Sequence, residues 1–166
     1  MNGGLEQLCQ AMAEYLTSCG VLAEAAFPRT LRTEAGPVAM VSLRGCQAES
    51  AGFQDYLGER LNEETGCWEE IFGKKAKITF GLDLYTTEKG DGQQLQRAFD
   101  QLAEALILGG PEGLRVEEFS CGQTEYDGES RRLRRPVQAV CTVYLSAAAR
   151  SGGEFVDFEL RGVVKP

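Results

Sequence analysis

Lys75-Ala76-Lys77-Ile78-Thr79-Phe80-Gly81-Leu82-Asp83-Leu84-Tyr85 places Ala76, Ile78, Phe80, Leu82 and Leu84 on one phase and the polar or small residues, with Tyr85, on the other. Successive side chains of an extended backbone point to opposite faces, so this period of two predicts a long strand with one dry face and one wet face. A dry face needs a covering layer, and the flanking sequence supplies two candidates. Upstream, Leu5, Leu8, Cys9, Met12, Tyr15, Leu16 and Cys19 recur every three or four residues, the stripe of an amphipathic helix, and Gly20 can take the left-handed conformation that ends it. Downstream, Leu95, Ala98, Phe99, Leu102, Ala103, Leu106 and Ile107 predict a second helix. Asp91 is its expected N-cap, Gln94 the return half of a capping box, and Gly109-Gly110-Pro111 its stop.

The remaining strands follow from the same reasoning. Val21–Phe27 is a short strand candidate, and Val38–Leu43 is apolar on both phases, as expected of a strand covered by its neighbours. Cys67–Phe72 leads through Gly73 into the long strand. In Leu114–Gly122 the apolar phase slips between Val116 and Phe119, which predicts a bulge at Glu117-Glu118. Val137–Leu145 alternates strictly, Ser151-Gly152-Gly153 breaks it, and Val156, Phe158 and Leu160 mark a last short strand. Between Arg44 and Thr65 the periodicity fades among Gly45, Gly52 and Gly58, and the segment reads as a long surface loop with a helical turn at Phe53–Leu57. Loops beyond about 12–15 residues are uncommon unless they work or are ordered by a partner. The order α-β-β-β-α-β-β-β in a single domain, residues 1–166, defines an α+β fold: a mostly antiparallel sheet with two main helices packed on one face.

Composition narrows the function classes. The 166 residues contain no histidine, which removes Ser-His-Asp and Cys-His nucleophile systems, histidine metal sites and the usual general base near neutrality. With 17 basic against 25 acidic residues the net charge is −8, unfavourable for general affinity toward nucleic acid. No apolar run reaches the ~18–20 residues that span a bilayer, and the first residues lack a basic segment followed by an apolar core, so an intracellular protein is expected. The six cysteines show no CxxC spacing and are expected to be buried free thiols. Cys141, on the apolar phase of its strand, fits that best.

No residue stands out as catalytic, cofactor-binding or metal-ligating. Glycines form neither GxGxxG nor GxxxxGK[ST], and Glu63, Glu64, Glu69 and Glu70 lack the rhythm of a calcium loop and read as a solvated loop. Two features point to surfaces instead. Arg131, Arg132, Arg134 and Arg135 form a basic cluster suited to pairing with acids of another subunit, to phosphate contact, or to solubility alone. Tyr56 and Trp68 flank the loop-like segment as candidate interface anchors, Trp68 being equally suited to a core.

Taken together, the N-terminal amphipathic helix, the Phe53-Gln54-Asp55-Tyr56-Leu57-Gly58 segment, the Lys77–Tyr85 strand running into the Gln94–Leu108 helix, and the polar tip Tyr126-Asp127-Gly128 before the Leu133–Leu145 strand resemble the tail terminator (tail completion) proteins of long-tailed bacteriophages and prophages. The likeness spans about Leu5 to Ser146 and leaves the Phe155–Lys165 strand outside it. It implies a structural protein, not an enzyme and without a cofactor, that forms a hexameric ring, caps the tail tube and joins it to the head. Its implied partners are other copies of itself, tail-tube protein and head-completion protein, with DNA passing through the ring and no membrane. Its implied location is the host cytoplasm and then the virion tail. Another head–tail connector or tail component, or a bacterial binding module, is the alternative on the same residues.

Overall fold

The computed structural model describes residues 4–25, 36–51, 55–87, 89–150 and 154–161, with only the backbone for 149–150 and 154–161. Its elements run α1 (Leu5–Ser18), β1 (Ala23–Glu24), β2 (Val38–Ser50), β3 (Tyr56–Asn62), β4 (Cys67–Tyr85), α2 (Gly92–Leu108), β5 (Arg115–Cys121), β6 (Glu125–Asp127), β7 (Arg132–Arg135), β8 (Val137–Arg150) and β9 (Glu154–Arg161). All nine strands belong to one sheet, and only the two-residue β1 pairs parallel to its neighbour. The α+β class with helices packed on a sheet is therefore the observed one.

β4 is the axis of the molecule. At 19 residues it is long enough to be flanked by two strands in succession along each edge. On one edge β2 pairs with its second half, from Val38 opposite Tyr85 to Ser50 opposite Lys74, and β3 takes over from Tyr56 opposite Phe72 to Asn62 opposite Cys67. On the other edge β7 pairs at Leu84 and Tyr85, and β8 continues from Gly81 to Glu69. β5 and then β9 pair in succession along the far edge of β8, and β6 pairs with β7. Pro136 separates β7 from β8, where a missing N–H would otherwise interrupt a ladder.

The helices cover only half of this sheet. Ala76, Ile78, Phe80, Leu82 and Leu84 are buried against Leu8, Met12 and Leu16 of α1 and Leu95, Leu102 and Leu106 of α2, with Ala39, Val41, Val137, Ala139, Cys141 and Val143 from neighbouring strands. Among the described residues, nothing in β3 or in β4 before Ala76 joins that core. The sheet thus runs past its helical layer as a bare arm formed by β3, Cys67–Lys75, the end of β8 and β9. At about 3.3 Å per residue the β4 portion alone extends it by roughly 25 Å.

Several sequence expectations hold. The bulge falls where the phase slip placed it, between Val116 and Glu118. Gly20 has φ 87°, and the Asp91 carboxylate accepts from the Gln94 N–H at 3.1 Å. Others are corrected. The expected loop from Arg44 to Thr65 is mostly strand: β2 extends to Ser50, and β3 occupies Tyr56–Asn62. Phe53 and Gln54 of the expected helical turn lie outside the described residues, and Leu57 belongs to β3. Gln94 does not close a reciprocal capping box. Its side-chain oxygen accepts from the N–H of Thr87 at 2.9 Å, tying the preceding turn to the helix. The Cys67–Phe72 and Lys75–Tyr85 strands are one element, because Gly73 stays in the ladder opposite Ser146. The expected short strand at Val21–Phe27 shrinks to Ala23–Glu24, with Phe27 outside the described residues, as are Ser151–Gly153 and the end of the last strand beyond Arg161.

The cysteines are free, but only Cys9 and Cys141 are buried. Cys19, Cys46 and Cys67 are exposed and Cys121 is half-buried. Burial pushes the Cys141 thiol up to about 12, so it behaves as an inert apolar group. Glu69, expected on a solvated loop, is 2% exposed on β4. It accepts from Arg60 Nε at 3.2 Å and from Asn62 Nδ2 at 2.8 Å, which offsets the cost of removing its charge from water.

Candidate functional site

The four arginines of the cluster have different roles in the fold, because β7 alternates faces. Arg135 turns to the helical side, where its guanidinium lies 5.0 Å from the Phe99 ring centroid and donates to Gln96 and to the Gly122 carbonyl. Arg132 is 6% exposed and donates to the Thr86 carbonyl at 3.2 Å, at the end of β4. Arg134 faces the helix-free side and bonds Asp83 Oδ2 at 2.7 Å and Glu125 at 2.7 Å. The Asp83 carboxylate raises the Arg134 pKa above its ordinary value. Arg131 differs from the other three. It is exposed in the β6–β7 turn with φ 57°, and no partner is found for it among the described residues.

Asp83 is the hub on that helix-free side. Besides Arg134 it binds Arg44 at 2.5 Å, and its second oxygen accepts from the buried Val137 N–H at 3.2 Å. Arg44 reaches it because a bulge between Leu43 and Gly45 re-aims one residue of β2. Gly81 leaves the space: a Cβ there would lie 2.6 Å from Ser42 Oγ and collide with the Arg44 guanidinium. The network pins β2, β4 and β7 together, and through Glu125 it holds the β6–β7 hairpin. No local pattern announces it. Two arginines 90 residues apart converge only because both strands flank β4, although Asp83 was visible on the polar phase.

Tyr56 and Trp68 both lie on the arm, and both are exposed: Tyr56 by 45% and Trp68 by 60%. Trp68, Glu70 and Phe72 continue the phase that is buried from Ala76 onward, so they extend the helix-covered face into the region that the helices leave bare. Leu61 stands directly opposite Trp68 and is 48% exposed, while Tyr56 stands opposite Phe72, ring centroids 5.7 Å apart at 66°. The arm's other face is closed. Glu69, Ser146 and Ala148 are buried, and Leu57 covers Gly73.

What these surfaces offer chemically is exposed aromatic area and charge. The described residues hold no cluster of histidine, cysteine or carboxylate groups with metal-ligand geometry. Every fully buried side-chain nitrogen or oxygen among them has a hydrogen-bond partner. A depression of about 550 Å³ between α1 and β1 has Glu14 and Glu24 among small and neutral residues in its lining, and no nucleophile–base pair. No helix among the described residues is long and apolar enough to cross a membrane.

No protein-family signature matches the chain, and no curated protein matches it by sequence. In three dimensions it is similar to a sheath/tube terminator of an extracellular contractile injection system, PVC, whose structure in the extended state was determined by cryo-electron microscopy. The whole of this chain aligns, with a TM-score of 0.50 and 12% identity. It spans 64% of the length of that protein. At such identity the likeness is one of fold. The chain has a tail-terminator-like fold, and the likeness extends to an injection system rather than being particular to phage.

Proposed function

We propose that this protein is a structural tail terminator: copies of it form a hexameric ring that caps a tail tube, stops its growth and joins it to the head or to the terminal structure of an injection particle. The observation that carries this reading is the alignment of the entire chain with a sheath/tube terminator. The geometry supports it. Beyond Met40 the outer edge of β2 has no neighbour among the described strands, and its Gly45–Ser50 stretch carries only small or polar side chains. Such an edge can accept a strand from another subunit. Head-to-tail contacts of this kind, repeated about an axis, close into a ring. On the helix-free face, apart from the buried Val38–Met40–Tyr85 cluster, Lys75, Lys77, Thr142, Glu117 and Glu118 form a polar stretch that suits a water-filled lumen. The protein works through surfaces and not by turnover, first in the bacterial cytoplasm and then in the assembled tail.

The test is tube polymerisation. Purified tail-tube protein from the same genome is assembled with and without this chain, and tube lengths and ends are examined by electron microscopy. Shortened tubes with a ring at one end are expected. Tubes of unchanged length and bare ends at saturating protein would refute the assignment.

A further inference from the structure

The exposed face of the arm has an unbalanced charge. Glu59 stands directly opposite Glu70, on the same face as Tyr56, Leu61, Trp68 and Phe72. Like charges directly across a strand pair are destabilising, and neither carboxylate has an ion-pair partner among the described residues. Among the described residues the nearest cation on this face, Lys74, is already bound to Asp55 at 2.7 Å. It also lies four residues from Glu70 along the strand, about 13 Å at ~3.3 Å per residue. The two acids act on their surroundings: the Tyr56 hydroxyl pKa is raised by loss of hydration and then by Glu59 and Glu70. An apolar stripe around an uncompensated acid pair fits a ligand surface that brings one cation beside an aromatic or aliphatic group.

The same chain carries such a surface at its other end. Tyr126, 66% exposed, and the unpartnered Arg131 lie on the β6–β7 hairpin. Other cations without a partner, such as Lys75, Lys77 and Arg97, have no exposed large apolar residue beside them. Arg131 also holds a left-handed backbone at φ 57°, a conformation unfavourable for a non-glycine residue. Its side chain does nothing within the described fold that would offset this cost.

We propose that the arm face of one copy binds the β6–β7 hairpin of the next, with Arg131 seated between Glu59 and Glu70 and Tyr126 packed on Trp68 and Leu61. The inference rests on the terminator reading only in taking a second copy as the neighbour. Two arms cannot meet face to face through this surface, since four carboxylates would be brought together. The contact joins two different surfaces of the chain, and repeated head to tail about an axis it closes a ring. The Asp83–Arg134–Glu125 chain holds the hairpin in position for it.

Sedimentation velocity over a concentration series tests the pairing, with circular dichroism as the check on folding. Glu70→Arg and Arg131→Glu should each weaken self-association at least tenfold, and Trp68→Ser should abolish it. The combined Glu70→Arg/Arg131→Glu chain should recover most of the loss, since the pair is restored with its signs exchanged. Arg131→Gly separates this role from folding: it should leave the monomer as stable or more so, because glycine suits the left-handed turn, while association falls. Wild-type protein that stays monomeric into the millimolar range overturns the proposal, as does association that survives each single charge reversal. So does an exchange pair that recovers nothing, the result expected if tube protein or another partner occupies the arm. Tube capping that persists in these variants would leave the terminator assignment standing while this contact fell.

Discussion

Replacing Asp83 with alanine is the sharpest probe of how the helix-free side is held together. The carboxylate accepts from Arg44 at 2.5 Å, from Arg134 at 2.7 and 3.3 Å, and from the Val137 N–H at 3.2 Å. Leaving a buried N–H unsatisfied costs about 1–3 kcal/mol. Removing one member of a fully buried ion pair costs roughly 3–5 kcal/mol, but the two arginine side chains retain 33% and 27% exposure and water can reach them. Discounting that contribution by about half or more for solvent screening gives a total near 3 kcal/mol. At about 2–4 °C per kcal/mol for a chain of this size, the melting temperature should fall by roughly 6–12 °C. Arg44→Ala should cost less, about 1 kcal/mol or below, because Asp83 keeps Arg134 and the exposed partner contributes little. Urea unfolding measures both, the midpoint moving while the slope stays fixed. A penalty under about 1 kcal/mol for Asp83→Ala, or an equal one for Arg44→Ala, would refute the idea that this carboxylate organises the strands around it.

Gly73→Ala should destabilise by about 1–3 kcal/mol, since the new Cβ would sit 2.7 Å from the Leu145 carbonyl and 2.6 Å from Leu57. A thermal melt matching the parent would contradict it. In thiol titration of the native protein at pH 8, Cys19, Cys46 and Cys67 should react quickly and Cys9 and Cys141 only after unfolding. Rapid labelling of Cys141 would mean that the core opens readily. The Asp55 carboxyl pKa is lowered, first by its bond to Lys74 and then by Ser50. Its contribution is thus present above the ordinary carboxylate value of about 3.9 and is lost as pH falls through the lower folded value. The stability gap between wild type and Asp55→Asn, measured by melting, should therefore narrow from pH 7 to pH 2.5 and in high salt. A gap unchanged by both would point to a steric effect of the substitution.

How well each segment could be read follows the contrast between its faces. β4 from Ala76 to Leu84 and β8 from Val137 to Val143 press one face on helices and show the other to water, so hydrophobicity alternates and the strands declare themselves. The slip at Glu117 was legible for the same reason. Cys46–Ser50 of β2 is exposed on both faces. Without a dry side there is no alternation to detect, and the stretch resembles a loop. In β3 the exposed Leu61 and Tyr56 are spaced by a bulge between Tyr56 and Gly58 that breaks the count. Of the candidate interface residues, Tyr56 and Trp68 prove to be exposed, and Arg131 is separated from Arg132, Arg134 and Arg135 by its lack of a partner. The Glu59–Glu70 opposition was invisible, because register across a hairpin is not written in either strand alone.

The sequence alone determined the α+β class, the two helices and the axis strand, because each depends on local periodicity and on caps that act within a few residues. Its lack of histidine also ruled out several chemistries before any coordinate was known. Tertiary structure decided where the helical layer ends, and hence that Trp68 is exposed while Ile78, on the same phase of the same strand, is fully buried. It also decided which charges are spent inside the fold. Burial and ion pairing depend on residues distant in the chain, and only the assembled sheet brings those together.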